Sequence, residues 1–143
     1  MYMYTFPIVV NVACVALLSS TTGKLAVVPR LNAYEGKLSF PGGKVEPNET
    51  LRRTACRELL EELNVVVSEK NLQAETFTVR EHQGKKYIFT LFSAKTWTGA
   101  PVAVEHKYVK WINFDKSGLH HFAPADAKLL SQIVNKYKPN YYI

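Results

Sequence analysis

A mixed α/β fold with helices packed on a sheet is predicted by three features of the sequence. The run Ile8–Leu18 is uncharged and rich in β-branched residues, the pattern of a buried strand. Ala74–Arg80 and Lys86–Lys95 flank the turn-forming His82-Gln83-Gly84-Lys85 and read as a hairpin. Apolar residues recur at helical spacing in two segments, one ending near Leu63 and one near Tyr137. The 143 residues, 1–143, are expected to form one domain, since domains commonly hold about 100–150 residues. A chain of this size buries roughly two-thirds of its unfolded surface and folds without disulfides or a structural metal.

In chain order, Ser19-Ser20-Thr21-Thr22-Gly23 is a turn cluster and Lys24–Val28 the returning strand. Arg30–Gly36 is a polar loop. Lys37-Leu38-Ser39-Phe40 is a short extended piece ended by Pro41-Gly42-Gly43. Asn48 is suited to N-cap a helix running to about Leu63, with Glu49 in its first turn, where the helix dipole favours an anion. Asn64 sits where a left-handed residue would stop that helix. Val65–Val67 and Tyr108–Asn113 read as extended. Ala125–Tyr137 is a second helix with Leu129, Leu130, Ile133, Val134 and Tyr137 on its apolar face. The tail closes Lys138-Pro139-Asn140-Tyr141-Tyr142-Ile143. Phe77, Phe89 and Phe92 alternate on strands and are expected in the core.

Ordinary hydrophobic and charged fractions, 47% and 21%, exclude a disordered chain, a collagen and a cysteine-stapled mini-protein. The net charge of +6 suits anionic partners, or serves solubility alone. Cys14 and Cys56 lie among small or apolar neighbours, with no CxxC, and read as reduced core residues of a cytoplasmic protein. The first eighteen residues carry no charge. A signal peptide or membrane span is disfavoured, because no Lys or Arg precedes the run, no small-residue cleavage site closes it, and Pro7 and Asn11 interrupt it.

The charges are unevenly distributed. Five of the twelve acids, Glu46, Glu49, Glu58, Glu61 and Glu62, fall within seventeen residues. On the first helix Glu58, Glu61 and Glu62 stand at i, i+3 and i+4, which gathers three carboxylates on one surface. Leu51, Ala55, Leu59 and Leu63 form the adjoining stripe, so this surface borders the buried face. Like charges this close are costly unless neutralised. The spacing alone fits a solvated acidic face partnered by Arg53 and Arg57. It fits less well, on spacing alone, a site for a hard divalent cation with oxygen ligands.

The context favours the second reading. Phe40-Pro41-Gly42-Gly43 precedes the helix and permits a tight backbone approach to a metal or a phosphate. From Gly43 the chain reads Gly-x5-Glu49-x7-Arg57-Glu58-Leu59-x-Glu61-Glu62-x-Asn64-Val65. This resembles the signature of the Nudix hydrolases, with the spacing matched throughout and Asn64 in place of a Gly. Asn tolerates the left-handed conformation better than most residues, so the departure is mild. Trp97-x-Gly99-x-Pro101, Glu105, Trp111 and Phe122-x-Pro124-Ala125 extend the likeness to MutT-type members, from about Val12 to Val134.

The resemblance implies a Nudix-type α/β/α sandwich with a central mixed sheet and a catalytic loop-helix. It implies Mg²⁺, or Mn²⁺, held by Glu58, Glu61, Glu62, the Gly42 carbonyl and Glu105, with Glu58 also able to activate water. Glu49 and Arg57 would brace the loop against the helix. Arg30 and Lys44 flank the Gly-rich turn and are candidates to hold phosphates. Asp126 stands where MutT-type proteins carry a purine-reading Asn. An ionised Asp only accepts hydrogen bonds, so it would receive guanine N–H groups or the N7–H of an 8-oxo base, or equally reject guanine for another base. It is also well placed as a first-turn acid of the second helix. Lys85, at the hairpin tip, is a candidate to close over the base.

The expected activity is Mg²⁺-dependent hydrolysis of a nucleoside triphosphate to a monophosphate and pyrophosphate, with oxidised nucleotides such as 8-oxo-dGTP as substrate. A nucleotide is the expected partner, with no stable nucleic-acid partner and no membrane, in a monomer or homodimer. The alternatives are a dinucleoside polyphosphate or capped RNA end as substrate, or a binding module without turnover. The intact carboxylate set argues against the last. No proline lies between Pro47 and Pro101, and no second Arg stands between Arg30 and Gly42. The family's ADP-ribose and coenzyme A patterns are therefore missing.

Overall fold

The computed structural model describes residues 8–138. The start of the uncharged N-terminal run, Met1–Pro7, and the tail from Pro139 to Ile143 lie outside the described residues. Strand β1 (Ile8–Leu17) is the axis of the fold. It pairs in parallel with β6 (Lys85–Ala94) along its whole length, from Ile8↔Lys85 to Leu17↔Ala94. On its other side it pairs antiparallel with β4 (Gly42–Lys44). β5 (Gln73–His82) completes a mixed sheet of order β4-β1-β6-β5. A second sheet has the order β3-β2-β7, formed by β3 (Leu38–Ser39), β2 (Leu25–Pro29) and β7 (Lys110–Ile112).

Helices cover both faces. Val12, Cys14 and Ala16 of β1 join a core with Leu129, Leu130, Ile133 and Val134 of α2 (Pro124–Tyr137). The intervening Ala13, Val15 and Leu17 join a second core with Ala55, Leu59 and Leu63 of α1 (Leu51–Leu63). From Val12 to Leu17 the strand is buried on both faces and needs no polar alternation, whereas Ile8 and Val9, expected to be buried with the rest of the run, are exposed. That run is strand from Ile8 onward. Among the described residues no helix is long and apolar enough to cross a membrane.

Several expectations are corrected. Asn48 does not cap α1: Thr50 does, its side chain accepting the Arg53 N–H at 3.1 Å. Asn48 takes a left-handed φ of 68° in the preceding turn. Glu49 therefore precedes the helix, and its carboxylate folds back to accept the Glu46 N–H at 3.0 Å. α2 starts one residue early, on Pro124, whose missing N–H costs nothing at that position. β7 is shorter than the expected 108–113. Phe77 is 60% exposed, not in the core. It shares the α1 side of the sheet with its partner Thr90. α1 packs on β1 and β4, however, while β5 is covered from the other side by α2. Cys14 is buried but Cys56 only partly so, and both are free thiols.

Two tight turns behave as read. The hairpin turns through Gln83 and Gly84, both at positive φ (50° and 75°), the mirror-image geometry that suits strand twist. Asn64 ends α1 in the left-handed region (φ 54°, ψ 41°), with its N–H directed at the Leu59 and Leu60 carbonyls. Asn64→Gly is expected to leave stability unchanged or raised. Asn64→Val should cost about 1–2 kcal/mol, the price of holding a side chain in that conformation. Urea denaturation midpoints of the three proteins check both outcomes.

Candidate active site

The backbone of β4 at Gly42 and Gly43 meets the C-terminal half of α1. Three acids that are close neighbours on this helix occupy three different environments. Glu61 is outermost, with 45% of its side chain exposed. Glu58 is 14% exposed and lies directly against Gly43. Glu62 is 7% exposed; its Oε2 accepts the Gly42 N–H at 2.7 Å, and its Oε1 lies 2.6 Å from His106 Nε2.

Arg57 organises the outer acids. Its Nε donates to Glu49 Oε2 at 2.8 Å and its Nη2 to Glu49 Oε1 at 3.0 Å, a two-point contact. Nη1 donates to Glu58 Oε1 at 2.9 Å and to Glu61 Oε2 at 3.1 Å. A weaker bond at 3.3 Å reaches the Lys44 carbonyl, which ties α1 to β4. The Arg57 hydrogen bonds, with the Glu46 N–H, hold the Glu49 carboxyl down at about 2. Glu58 moves the opposite way. Burial first, then the charge of Glu62, raises its carboxyl to about 7, against the pull of Arg57. The Glu62 contact raises the His106 imidazole, with burial opposing.

The acids border a cleft of about 390 Å³ whose walls include Gly42, Gly43, Glu58, Glu62, Glu105 and His106. A second cavity of about 590 Å³ shares Arg30, Asn32, Lys44, Tyr87, Phe89 and Asp126 with it and extends to Tyr34, Arg80 and His82. Arg30 is anchored by its Nε donating to the Ala33 carbonyl at 2.7 Å. Asp126, 4% exposed, is both a first-turn residue of α2 and part of the wall between the two cavities. Its Oδ1 accepts the Phe40 N–H at 2.9 Å. Burial raises its carboxyl to about 7, while the Phe40 bond and the Arg30 charge oppose.

The structure thus brings Gly42, Glu58, Glu62, Glu105, Arg30, Lys44 and Asp126 onto one cleft. Glu61, Glu49 and Arg57 stand just behind it. Lys85 is not among the lining residues; it faces His82 across the hairpin. Phe89, expected in the core, forms cleft wall with Tyr87, their ring centroids 6.2 Å apart. His106 was missed altogether, because a lone His beside Glu105 carries no motif of its own.

Among the described residues no three acid, His or Cys side chains converge on a point where a cation would sit. Glu58 and Glu61 are engaged by Arg57, and Glu62 by Gly42 and His106. The donor set nonetheless fits a hard cation, since it is all oxygen. Glu58 adds the second sign: its raised carboxyl reports a buried charge that Arg57 alone does not compensate.

Comparison with known proteins identifies the family. A model of the NUDIX domain matches residues 7–133, so the chain belongs to the Nudix family, and it is a pyrophosphohydrolase of the MutT-like kind. It is 31% identical over 116 residues to an 8-oxo-dGTP diphosphatase of Haemophilus influenzae, covering 80% of this chain and 84% of that one. It is 32% identical over 118 residues to a CTP pyrophosphohydrolase of Escherichia coli, covering 81% and 86%. The solution structure of the E. coli ORF135 protein superposes with a TM-score of 0.76 at 26% identity, covering 95% and 96%.

The two glycines separate fold from chemistry. A Cβ on Gly42 would strike the Ala13 carbonyl and the Cys14 Cα, both backbone. The atoms nearest a Cβ on Gly43 all belong to the Glu58 carboxylate, which it would strike. Gly42→Ala is expected to lose about 1–3 kcal/mol of stability. Gly43→Ala should melt near the wild type yet lose about a hundredfold in turnover through the displaced Glu58. Thermal melts and pyrophosphate release on the two variants check the split.

Proposed function

We propose that the chain hydrolyses a nucleoside triphosphate to the monophosphate and pyrophosphate, and that its substrate is an oxidised nucleotide such as 8-oxo-dGTP. The observation that carries this is one cleft lined by both Glu58 and Asp126, two carboxyls that burial raises to about 7. One suits proton transfer at cellular pH and the other suits reading a base edge. Arg30 and Lys44 line the same cleft and are the groups proposed to hold the phosphates. Tyr87 and Phe89 offer rings against which a base stacks.

Glu58, Glu61, Glu62, Glu105 and the Gly42 carbonyl are the groups proposed to hold Mg²⁺, or Mn²⁺. When bound, the ion neutralises phosphate charge and acidifies water. Glu58 would take the proton of the attacking water as its oxygen bonds to phosphorus and the P–O bond of the α–β bridge breaks, giving the monophosphate and pyrophosphate, and Arg30 and Lys44 would hold the remaining phosphates. Ionised Asp126 accepts from the N1–H and N2–H of guanine or the N7–H of an 8-oxo purine. Its second form favours a second reading. A neutral Asp126 both donates and accepts, which matches N3 and N4–H of cytosine, and one relative is a CTP pyrophosphohydrolase. Free thiols at Cys14 and Cys56 suit action on the nucleotide pool of the cytoplasm.

The test is a turnover panel with Mg²⁺ over ordinary and 8-oxo nucleoside triphosphates, ADP-ribose and dinucleoside polyphosphates. A strong preference for 8-oxo-dGTP is expected. A preference for CTP would transfer the assignment to the cytosine reading, and a flat or empty triphosphate profile would overturn both. Glu58→Gln and Glu61→Gln should each lose at least about a hundredfold in turnover while keeping the fold. Asp126→Ala should alter base preference more than metal dependence.

A further inference from the structure

We propose that His106 is a positioning residue for the metal-binding carboxylates, an inference that rests on the metal-dependent reading above. The side chain links α1 to the end of β2. Its Nε2 meets Glu62 Oε1 at 2.6 Å, and its Nδ1 meets the Pro29 carbonyl, at the end of β2, at 3.1 Å. The ring is 13% exposed and forms part of the cleft wall, so it is packed in place yet borders the reaction space.

Glu62 is the innermost of the helix acids, and among the described residues two hydrogen-bond contacts orient its carboxylate: the Gly42 N–H on Oε2 and His106 on Oε1. Removing the imidazole leaves one of them and frees the group to rotate. The same contact fixes the neighbouring acid. Glu105 is borne by an irregular segment tied to the end of α1 by Val102 N–H on the Leu63 carbonyl, at 3.0 Å, and Val104 N–H on the Glu62 carbonyl, at 2.9 Å. Both ties precede Glu105. His106 supplies the tie that follows it, so the exposed Glu105 is held at the cleft from both sides. One imidazole thereby sets the placement of two carboxylates, one from the helix and one from the segment facing it.

Groups that orient metal ligands typically change metal affinity by about 10–100-fold when lost. The test is Mn²⁺ binding to the substrate-free protein, read by electron paramagnetic resonance, on wild type, His106→Ala, His106→Gln and His106→Asn. Gln carries an amide donor about as far as Nε2 and should keep most of the affinity. Ala and Asn, which do not reach Glu62, should weaken binding roughly tenfold or more. In turnover, the same two variants should need more Mg²⁺ for half-maximal rate and recover kcat at saturating Mg²⁺. Should the alanine variant fail to fold, the Gln and Asn pair decides. Equal Mn²⁺ affinity in the wild type and the Asn variant would overturn the proposal, as would an equal loss in Gln and Asn. Wild-type protein that binds no Mn²⁺ would overturn the metal-dependent reading itself, and this inference with it.

Discussion

Arg57 is the contact on which the site depends. A single guanidinium reaches Glu49, Glu58 and Glu61 by hydrogen bonds, with Glu46 at 3.7 Å. It joins the stretch before α1 to the middle of the helix and, through the Lys44 carbonyl, to β4. Without it, four carboxylates would crowd one end of a small domain with nothing to offset them. Mutual repulsion would then drive apart the elements that build the cleft. The two-point grip on Glu49 explains why that acid stays firmly ionised while Glu58, gripped by one nitrogen and more deeply placed, does not.

Burial then gives each acid its character. The glycines let the turn lie flat against α1, so Glu58 meets Gly43 and Glu62 meets the Gly42 N–H with no side chain between. Water is largely excluded from Glu62 and from much of Glu58, whereas Glu61 stays wet. The helix supplies the spacing, but the depth of each carboxylate comes from what packs over it. Asp126 repeats the principle: burial raises this helix acid to about 7, its Oδ1 accepts the Phe40 N–H, and the residue lines both cavities.

Much of this was legible in the sequence, for identifiable reasons. β1 and both helices carry periodic patterns that local physics reads directly. The box from Gly43 to Val65 is short-range, so its spacing alone aligns turn, helix and cap. Legibility ended where a contact depended on tertiary placement. Thr50 displaced Asn48 as the cap because the chain needed one more left-handed turn before the helix. Phe77 and Phe89 share one pattern of alternation, yet one faces solvent and the other a cleft, since coverage by α1 and α2 is not written in either strand. His106 bonds Pro29 and Glu62 across 77 and 44 positions of chain, a separation at which no local pattern points to a partner.

The state of Glu58 is the centre of this account: a buried carboxylate held near neutrality because a single arginine compensates it incompletely. Carbon-13 NMR titration of the glutamate carboxyls, with Glu58 assigned by comparison with Glu58→Gln, measures that state directly. Without metal, its midpoint is predicted at about 7. Added Mg²⁺ should move the midpoint to lower pH, because a nearby cation favours the charged form. A midpoint at the ordinary glutamate value of 4.5, unmoved by Mg²⁺, would contradict the account.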